Sequence, residues 1–112
     1  IEEGRQAARS FLTLSPRPDG LFATADLLAI GAMTEIKKAG FRIPQDMAIV
    51  GFSNWEIAEL CEPTLTSVFQ PGKEMGARAT ELLLDRIDNL EGDPQIQVLE
   101  TELIIRASSI KQ

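Results

Sequence analysis

The hydrophobic residues of the chain change their spacing from one stretch to the next, and the spacing predicts the elements. Residues 3–14 predict an amphipathic helix, although Gly4 is unfavourable inside one. The apolar face of this helix consists of Ala7, Ala8, Phe11 and Leu12. Residues 15–20 contain two prolines and an Asp-Gly pair, which predict that the helix ends there in a turn.

Two short apolar runs, residues 21–25 and 47–52, predict strands of a sheet that is covered on both faces. Between them a helix is predicted from Asp26 to about Ala39, ending at Gly40, a residue type common just after helix ends. Asp26 is well placed to cap this helix, and capping is the main role expected of it. Such a strand–helix–strand unit predicts two parallel strands joined by a crossover.

The helix that begins at Asp26 is apolar on two sides. One side is expected to face the sheet and consists of Ala29, Ala32, Ile36 and Ala39. The second side consists of Leu27, Ile30, Met33 and Thr34, and it fades into Lys37. A helix that is apolar on two sides is usually buried on both. The pattern alone leaves two explanations open: a central helix of a larger domain, or a contact between subunits.

The rest of the chain continues the alternation of strands and helices. Residues 65–70 predict a third strand, rich in β-formers, and residues 71–90 predict a long amphipathic helix. The apolar face of that helix consists of Met75, Ala79, Leu82, Leu83, Ile87 and Leu90. Residues 95–108 predict an extended strand or a bent pair of strands. The fold class is therefore α/β, a parallel sheet with flanking helices.

The composition argues against several classes of function. The net charge is −6 and the densest cationic spot is the pair Lys37–Lys38, so this stretch is not expected to bind nucleic acid itself. Histidine is absent from the sequence, which removes the commonest general base and metal ligand. We therefore expect no enzyme, no metal site and no cofactor. The apolar runs are far too short for a membrane span, and the single cysteine, Cys61, fits a reducing, cytoplasmic environment.

The candidate binding residues lie where the first two predicted strands end, because ligands of open parallel sheets bind at the carboxyl ends of the strands. The residues at these ends are Ala25, Asp26, Phe52, Ser53, Asn54 and Trp55. Together they offer a carboxylate, a hydroxyl, an amide and aromatic faces, which suit a small polyhydroxylated ligand. The structural alternatives are capping for Asp26 and turn formation for Ser53 and Asn54. For Trp55 the alternative is packing against the short helical segment predicted after it.

Several short stretches are unspecific one by one, but their order and spacing along the chain are together specific to one family. They are AIGAM at residues 29–33, AGFRIPQDMAIVGF at 39–52, PTLTSV at 63–68, QPGKEMGARATELLL at 70–84 and LIIRASS at 103–109. In this order they resemble the C-terminal half of the LacI/GalR family of transcriptional regulators. The resemblance implies a partial two-lobed fold of the type I periplasmic-binding-protein kind. It also implies that a helix-turn-helix domain, absent from this stretch, precedes it and binds operator DNA.

The resemblance implies a small-molecule effector, a sugar or a nucleobase, that shifts operator affinity in a homodimer. The effector would contact the six strand-end residues named above, although Ser53 stands where the family usually has an aspartate. The dimer interface would include Leu27, Ile30, Met33, Thr34 and Lys37. A transport-type sugar-binding protein is the alternative with the same fold. An enzyme with a doubly wound sheet is a less favoured alternative, because nothing in the sequence pairs a nucleophile with a base.

The resemblance also divides the chain into three segments. Residues 1–64 would belong to the C-terminal lobe, residues 65–94 to the N-terminal lobe, and residues 95–112 would return to the C-terminal lobe. The main sheet of the N-terminal lobe is missing from this stretch. We therefore expect the helix predicted in residues 71–90 to expose apolar surface between Met75 and Leu90, or to cover it with a neighbouring copy.

Overall fold

The computed structural model describes residues 1–111, so Gln112, the last residue of the predicted returning segment, lies outside the described residues. In chain order the elements are α1 (Glu2–Leu12), β1 (Gly20–Phe22), α2 (Asp26–Lys38), β2 (Ala48–Ser53), α3 (Ile57–Leu60), β3 (Thr66–Phe69), α4 (Gly72–Asp88) and β4 (Glu102–Ile104). Each strand and helix predicted up to residue 90 is present, with ends shifted by a few residues. Residues 95–108 contribute one short strand, β4.

The four strands form one sheet in the order β1–β2–β3–β4. β1 pairs with β2 and β2 with β3 in parallel, whereas β4 runs antiparallel to β3. The register places Phe22 opposite Val50 and Ser53 opposite Phe69. The predicted parallel strand–helix–strand unit is therefore confirmed, and so is the α/β class with a sheet and flanking helices.

The hydrophobic core lies where α2 packs on the sheet. Ala29 and Ile36 of α2 and Ile49 of β2 have no exposed surface, and Leu65 just before β3 is equally buried. Ala32 belongs to the same core, so most of the side predicted to face the sheet does so. Ala39 does not, because it is the C-cap residue of α2 and is exposed.

α1 packs across α2 at two glycines. A Cβ atom on Gly4 would overlap the backbone carbonyl of Leu28, and one on Gly31 would overlap the carbonyl of Ile1. The two backbones can approach this closely only because neither position carries a side chain. Gly4, unfavourable for helix propensity alone, is thus explained by the helix crossing. α1 thus covers the side of α2 that carries Leu28 and Gly31, for which the sequence predicted no partner.

The residues predicted for a dimer interface do not all lie on the surface. Thr34 and Lys37 are exposed, Leu27 is 37% exposed and Ile30 is half-buried. Met33 is only 3% exposed and belongs to the core. Its assignment to an open face of α2 is wrong, because the chain itself covers the side chain. The exposed sector of α2 is therefore narrower than its pattern of apolar residues suggested.

The chain divides into two compact units. The first comprises residues 1–69 together with residues from Glu102 onwards, and the second comprises Gln70–Thr101. The boundaries thus lie after Phe69 and before Glu102, whereas the sequence predicted them after residues 64 and 94. The reason is that β3 pairs with β2 on one side and with β4 on the other. The assignment of each segment to a lobe stays a prediction.

The second unit consists of α4 and the segment that follows it. No residue of α4 is buried. Large apolar side chains are exposed both in α4 and in the segment that follows it: Met75, Leu83, Leu84 and Ile87 in the helix, and Leu90, Ile96 and Val98 after it. The exposed apolar surface expected of this helix is therefore present. Among the described residues, no helix has the length and apolar character needed to cross a bilayer.

Candidate functional site

The candidate site lies at the edge of the sheet where the three parallel strands end. The pairing register places the last residues of β2 and β3, Ser53 and Phe69, opposite each other. Near the end of β1, Phe22 meets the ring of Phe52 edge-to-face, with the ring centroids 6.4 Å apart. Phe22 and Phe69 are exposed, so this edge presents aromatic surface.

β2 ends in an unusual backbone conformation. Ser53 has φ 107° and Asn54 has φ 52°, so two consecutive residues other than glycine lie at positive φ. Such a conformation costs on the order of 1–3 kcal/mol per residue and persists only where the surroundings hold it. It turns the chain sharply at the end of β2, so that Trp55 begins a loop leading to α3. We call residues 53–55 the exit loop.

Asp26 connects the exit loop to α2 and to β3. Its Oδ2 atom accepts a hydrogen bond from the backbone N–H of Trp55 at 2.7 Å, and its Oδ1 atom accepts one from the hydroxyl of Ser67 at 2.6 Å. The residue is only 1% exposed. A Cβ atom on Gly51 would overlap the carboxylate, so this glycine is required by the close approach.

The predicted capping role of Asp26 is wrong. The N-cap residue of α2 is Ala25, in an extended conformation, and no side chain caps the helix. Asp26 is the first residue of the helix proper, where a carboxylate is also favoured by the helix dipole. Its carboxylate oxygens accept hydrogen bonds from outside the helix, from the backbone of Trp55 and the hydroxyl of Ser67.

Two further residues hold the exit loop, and the sequence did not single out either of them. The Ser67 hydroxyl accepts a hydrogen bond from the backbone N–H of Asn54 at 3.0 Å. The guanidinium of Arg106 donates to Oδ1 of Asn54 and to the carbonyl of Leu65, both at 2.8 Å, and to a carboxylate oxygen of Glu59 at 3.0 Å. No local motif marks Ser67 or Arg106, because only the pairing of β3 with its neighbours brings them to the loop.

The predicted site residues separate into a buried and an accessible group. Asp26 is buried and linked to the backbone of Trp55, while the Asn54 side chain is linked to Arg106. Trp55 is 57% exposed, which does not favour the alternative that its main role is to pack on the following helix. The remaining three residues, all half-buried, are Ala25, Phe52 and Ser53. The residues of this edge that are not fully buried thus carry a hydroxyl, an amide and aromatic faces.

The chemistry available at this edge is that of binding. Among residues 1–111, no group of histidine, cysteine and carboxylate side chains is placed to hold a metal ion. Cys61 lies near α3, and burial raises the pKa of its thiol, which disfavours the reactive thiolate. Hydroxyl, amide and ring groups at a sheet edge are suited to hold a small polar molecule.

Comparisons with known proteins agree in the kind of protein they identify. Residues 1–109 match a family model described as a periplasmic binding protein-like domain. The transcriptional repressor CytR of Escherichia coli (strain K12) is 35% identical over 109 residues, which are 97% of this chain and 32% of that protein. A solved complex of the transcriptional regulator CelR with cellobiose has a TM-score of 0.88 and 40% identity, covering 95% of this chain and 32% of that one.

A further solved structure is that of a LacI family transcriptional regulator from Enterococcus faecium with bound ribose. It has a TM-score of 0.81 and 34% identity, and the match covers 96% of this chain and 40% of that one. The resemblance to LacI-type regulators is therefore confirmed along nearly the whole chain. The chain itself spans only 32% of the length of CytR.

Proposed function

Because the chain belongs to the periplasmic binding protein-like domain family, and its relatives are transcriptional regulators, we propose that it senses an effector within a LacI-type regulator. In this proposal a small molecule binds at the edge of the sheet formed by the first unit. Binding shifts the protein between two states that differ in their affinity for operator DNA. The DNA contact is made by a helix-turn-helix domain outside this chain.

The observation that carries the proposal is the exit loop at the carboxyl end of β2. It presents Ser53, Asn54 and Trp55 at the place where open parallel sheets bind ligands. The proposed effector contacts are Ala25, Phe52, Ser53, Asn54 and Trp55. Asp26 is buried with both carboxylate oxygens accepting hydrogen bonds. In this proposal it therefore positions the contact residues and does not itself touch the effector.

The effector class that we propose is a sugar, with a nucleobase as the alternative. Two relatives were solved with cellobiose and with ribose. Sugars offer hydroxyls to amide and hydroxyl groups and C–H surfaces to aromatic rings, which matches the groups of this edge. With Ser53 in place of an acidic residue, the loop recognises sugar hydroxyls through neutral hydrogen bonds, which are weaker than charge-assisted ones.

The same proposal includes a homodimer in the cytoplasm and no catalytic activity. The accessible part of the predicted interface supports the dimer, with Leu27, Thr34 and Lys37 exposed and Ile30 half-buried. A transport-type sugar-binding protein shares the fold, but the named relatives reported above are regulators. We therefore favour regulation over transport.

A thermal-shift screen on the intact protein tests the proposal, starting with cellobiose and ribose and continuing through other sugars and nucleobases. For the compound with the largest shift, Asn54→Ala should weaken binding about tenfold, since a polar contact is lost. Asn89→Ala is the matched control, because Asn89 is an exposed asparagine of the second unit. The proposal fails if both variants bind as tightly as the parent. Operator binding by Asn54→Ala should stay close to that of the parent.

A further inference from the structure

The exit loop is held by three side chains that come from three distant parts of the chain: α2, β3 and the segment after β4. We propose that Asp26, Ser67 and Arg106 form a clamp that fixes the exit loop in its binding conformation before any effector arrives. The significance of the loop rests on the proposed function, but the clamp itself is a property of the fold. The three residues are positioning residues, because they act through Ser53, Asn54 and Trp55.

The centre of the clamp is a chain of hydrogen bonds that is shielded from water. The backbone N–H of Asn54 donates to Ser67, whose hydroxyl in turn donates to Asp26. The other carboxylate oxygen of Asp26 accepts from the N–H of Trp55. Asp26 is 1% exposed and Ser67 has no exposed surface. Both carboxylate oxygens are thus occupied by donors of the chain itself, which favours a role in holding the loop over one in contacting effector.

Burial makes this hydrogen-bond chain hard to replace. If one partner is removed, a buried donor or acceptor is left without its partner, and solvent does not readily supply another. Hydrogen bonds to a carboxylate are stronger than neutral ones, so Asp26 is the strongest acceptor available to the loop. Gly51 permits the arrangement, because any side chain there would displace the carboxylate.

Arg106 closes the clamp from the other side. Its side chain is 13% exposed and bonds the Asn54 amide oxygen and the carbonyl of Leu65 through one nitrogen, with Glu59 held by the other. Arg106 follows β4, so a residue near the end of the chain fixes a side chain at the end of β2. The planar guanidinium donates to these partners from two nitrogens in a fixed geometry, whereas a lysine would donate from a single flexible atom.

The backbone of the exit loop explains why a clamp is needed. Two consecutive positive φ angles at Ser53 and Asn54 are unfavourable for residues with side chains. Without the clamp, the loop would relax towards commoner conformations and would have to be ordered again on binding. A loop ordered in advance avoids that loss and binds more tightly.

Hydrogen exchange followed by mass spectrometry on the intact protein, without any added small molecule, tests the clamp. In Ser67→Ala, peptides covering residues 50–58 should exchange roughly tenfold faster, since the Asn54 N–H loses its acceptor and Asp26 loses a donor. The matched control is Ser108→Ala. Ser108 is also fully buried, and its hydroxyl donates to the carbonyl of Ile49 and accepts from the N–H of Thr66, neither of which is a residue of the exit loop.

The proposal is supported if Ser67→Ala speeds exchange in residues 50–58 while Ser108→Ala leaves those peptides at the parent rate. It is overturned if the two variants change these peptides equally, or if Ser67→Ala changes nothing there. If Ser67→Ala does not fold, Asp26→Asn decides. An asparagine has one oxygen for the two donors that Asp26 serves, so exchange should rise in the same peptides, and an unchanged rate overturns the clamp.

This test is independent of the effector. If the screen of sugars and nucleobases finds no binder while Ser67→Ala loosens the loop, the proposed function fails and the clamp stands. If a binder is found and the loop exchanges at the parent rate in both Ser67→Ala and Asp26→Asn, the clamp fails and the function stands.

Discussion

Single residues around the end of β2, including the first residue of α2, have roles that their residue type does not reveal. Asp26 is placed to cap a helix but instead accepts hydrogen bonds from the exit loop and from Ser67. Gly51 ends an apolar run and is needed because the carboxylate of Asp26 lies against it. At this scale a residue's role is set by which groups lie within hydrogen-bond distance, and those groups come from distant parts of the chain.

Asp46 offers a test of the structure at the scale of one residue. Its carboxylate accepts hydrogen bonds from the backbone N–H and the guanidinium of Arg42, and these bonds lower its pKa to about 2. We expect an NMR titration of the carboxyl group to follow this value. In Arg42→Ala the pKa should rise only part of the way towards the ordinary value of about 3.9, because the backbone donor remains. An ordinary pKa of Asp46 in the parent would contradict the hydrogen bonds that Arg42 donates to its carboxylate.

At the scale of elements, the crossing of α1 over α2 explains features that the helices taken separately leave open. The glycines at positions 4 and 31 allow the backbones to touch, and Arg9 donates two hydrogen bonds to Glu35 across the pair, each at 3.1 Å. α1 therefore covers a further side of α2, at Leu28, Gly31 and Glu35, that the sequence did not assign to a partner. Of the apolar second side, Met33 lies in the core of the chain itself, while the subunit contact stays a prediction for the exposed part.

Gly31→Ala tests the helix crossing. The added methyl group would overlap the backbone carbonyl of Ile1, so the helices must separate, and we expect a loss of about 1–3 kcal/mol in the free energy of unfolding. Gly76→Ala is the matched control, because Gly76 lies within α4 with open space around it. That variant should gain up to about 1 kcal/mol from helix propensity. Urea unfolding measures both, and equal effects of the two substitutions would refute the close crossing.

The Arg9–Glu35 pair predicts how stability depends on pH. The hydrogen bonds from Arg9 hold the pKa of Glu35 below its ordinary value. A lowered pKa in the folded state means that the pair stabilises the fold above the unfolded-state pKa of about 4.3. That contribution is lost as pH falls through the lowered folded-state pKa.

Urea unfolding midpoints of the parent and Glu35→Gln should therefore differ at pH 7 and converge under strongly acidic conditions. Glu81→Gln removes a partner of Arg78 from an exposed pair in α4 and should change the midpoint little, since such pairs contribute little. If the unfolding midpoints of the parent and Glu35→Gln differed by the same amount across the whole pH range, the charge of the Glu35 carboxylate would not contribute to stability.

At the scale of the whole molecule, the two units differ in how they bury apolar surface. The first unit encloses a core between α2 and the sheet, and the second leaves α4 without a buried residue. A helix with an apolar face gains most of its stability from packing, and no residue of α4 is buried. The chain spans 32% of the length of CytR.

The purified 112-residue chain should therefore bind a dye specific for apolar surface, or associate with a second copy in light scattering. Ile87→Glu should reduce both signals, because Ile87 lies on the exposed face of α4 at 59% exposure. Leu14→Glu is the control, since Leu14 is similarly exposed at 53% but lies in the first unit. A parent chain that stays monomeric at high concentration and binds no dye would contradict the prediction.

The sequence by itself determined the order of the elements and the parallel strand–helix–strand unit, and it predicted the edge of the sheet proposed for ligand binding. These follow from local spacing and from the rule that parallel strands end at one edge, and both can be read along the chain. Tertiary structure alone decided that Asp26 supports the exit loop, that Met33 lies in the core and that Ser67 and Arg106 belong to the site. Those roles depend on contacts between residues tens of positions apart, such as Asn54 and Arg106, and no local pattern encodes them.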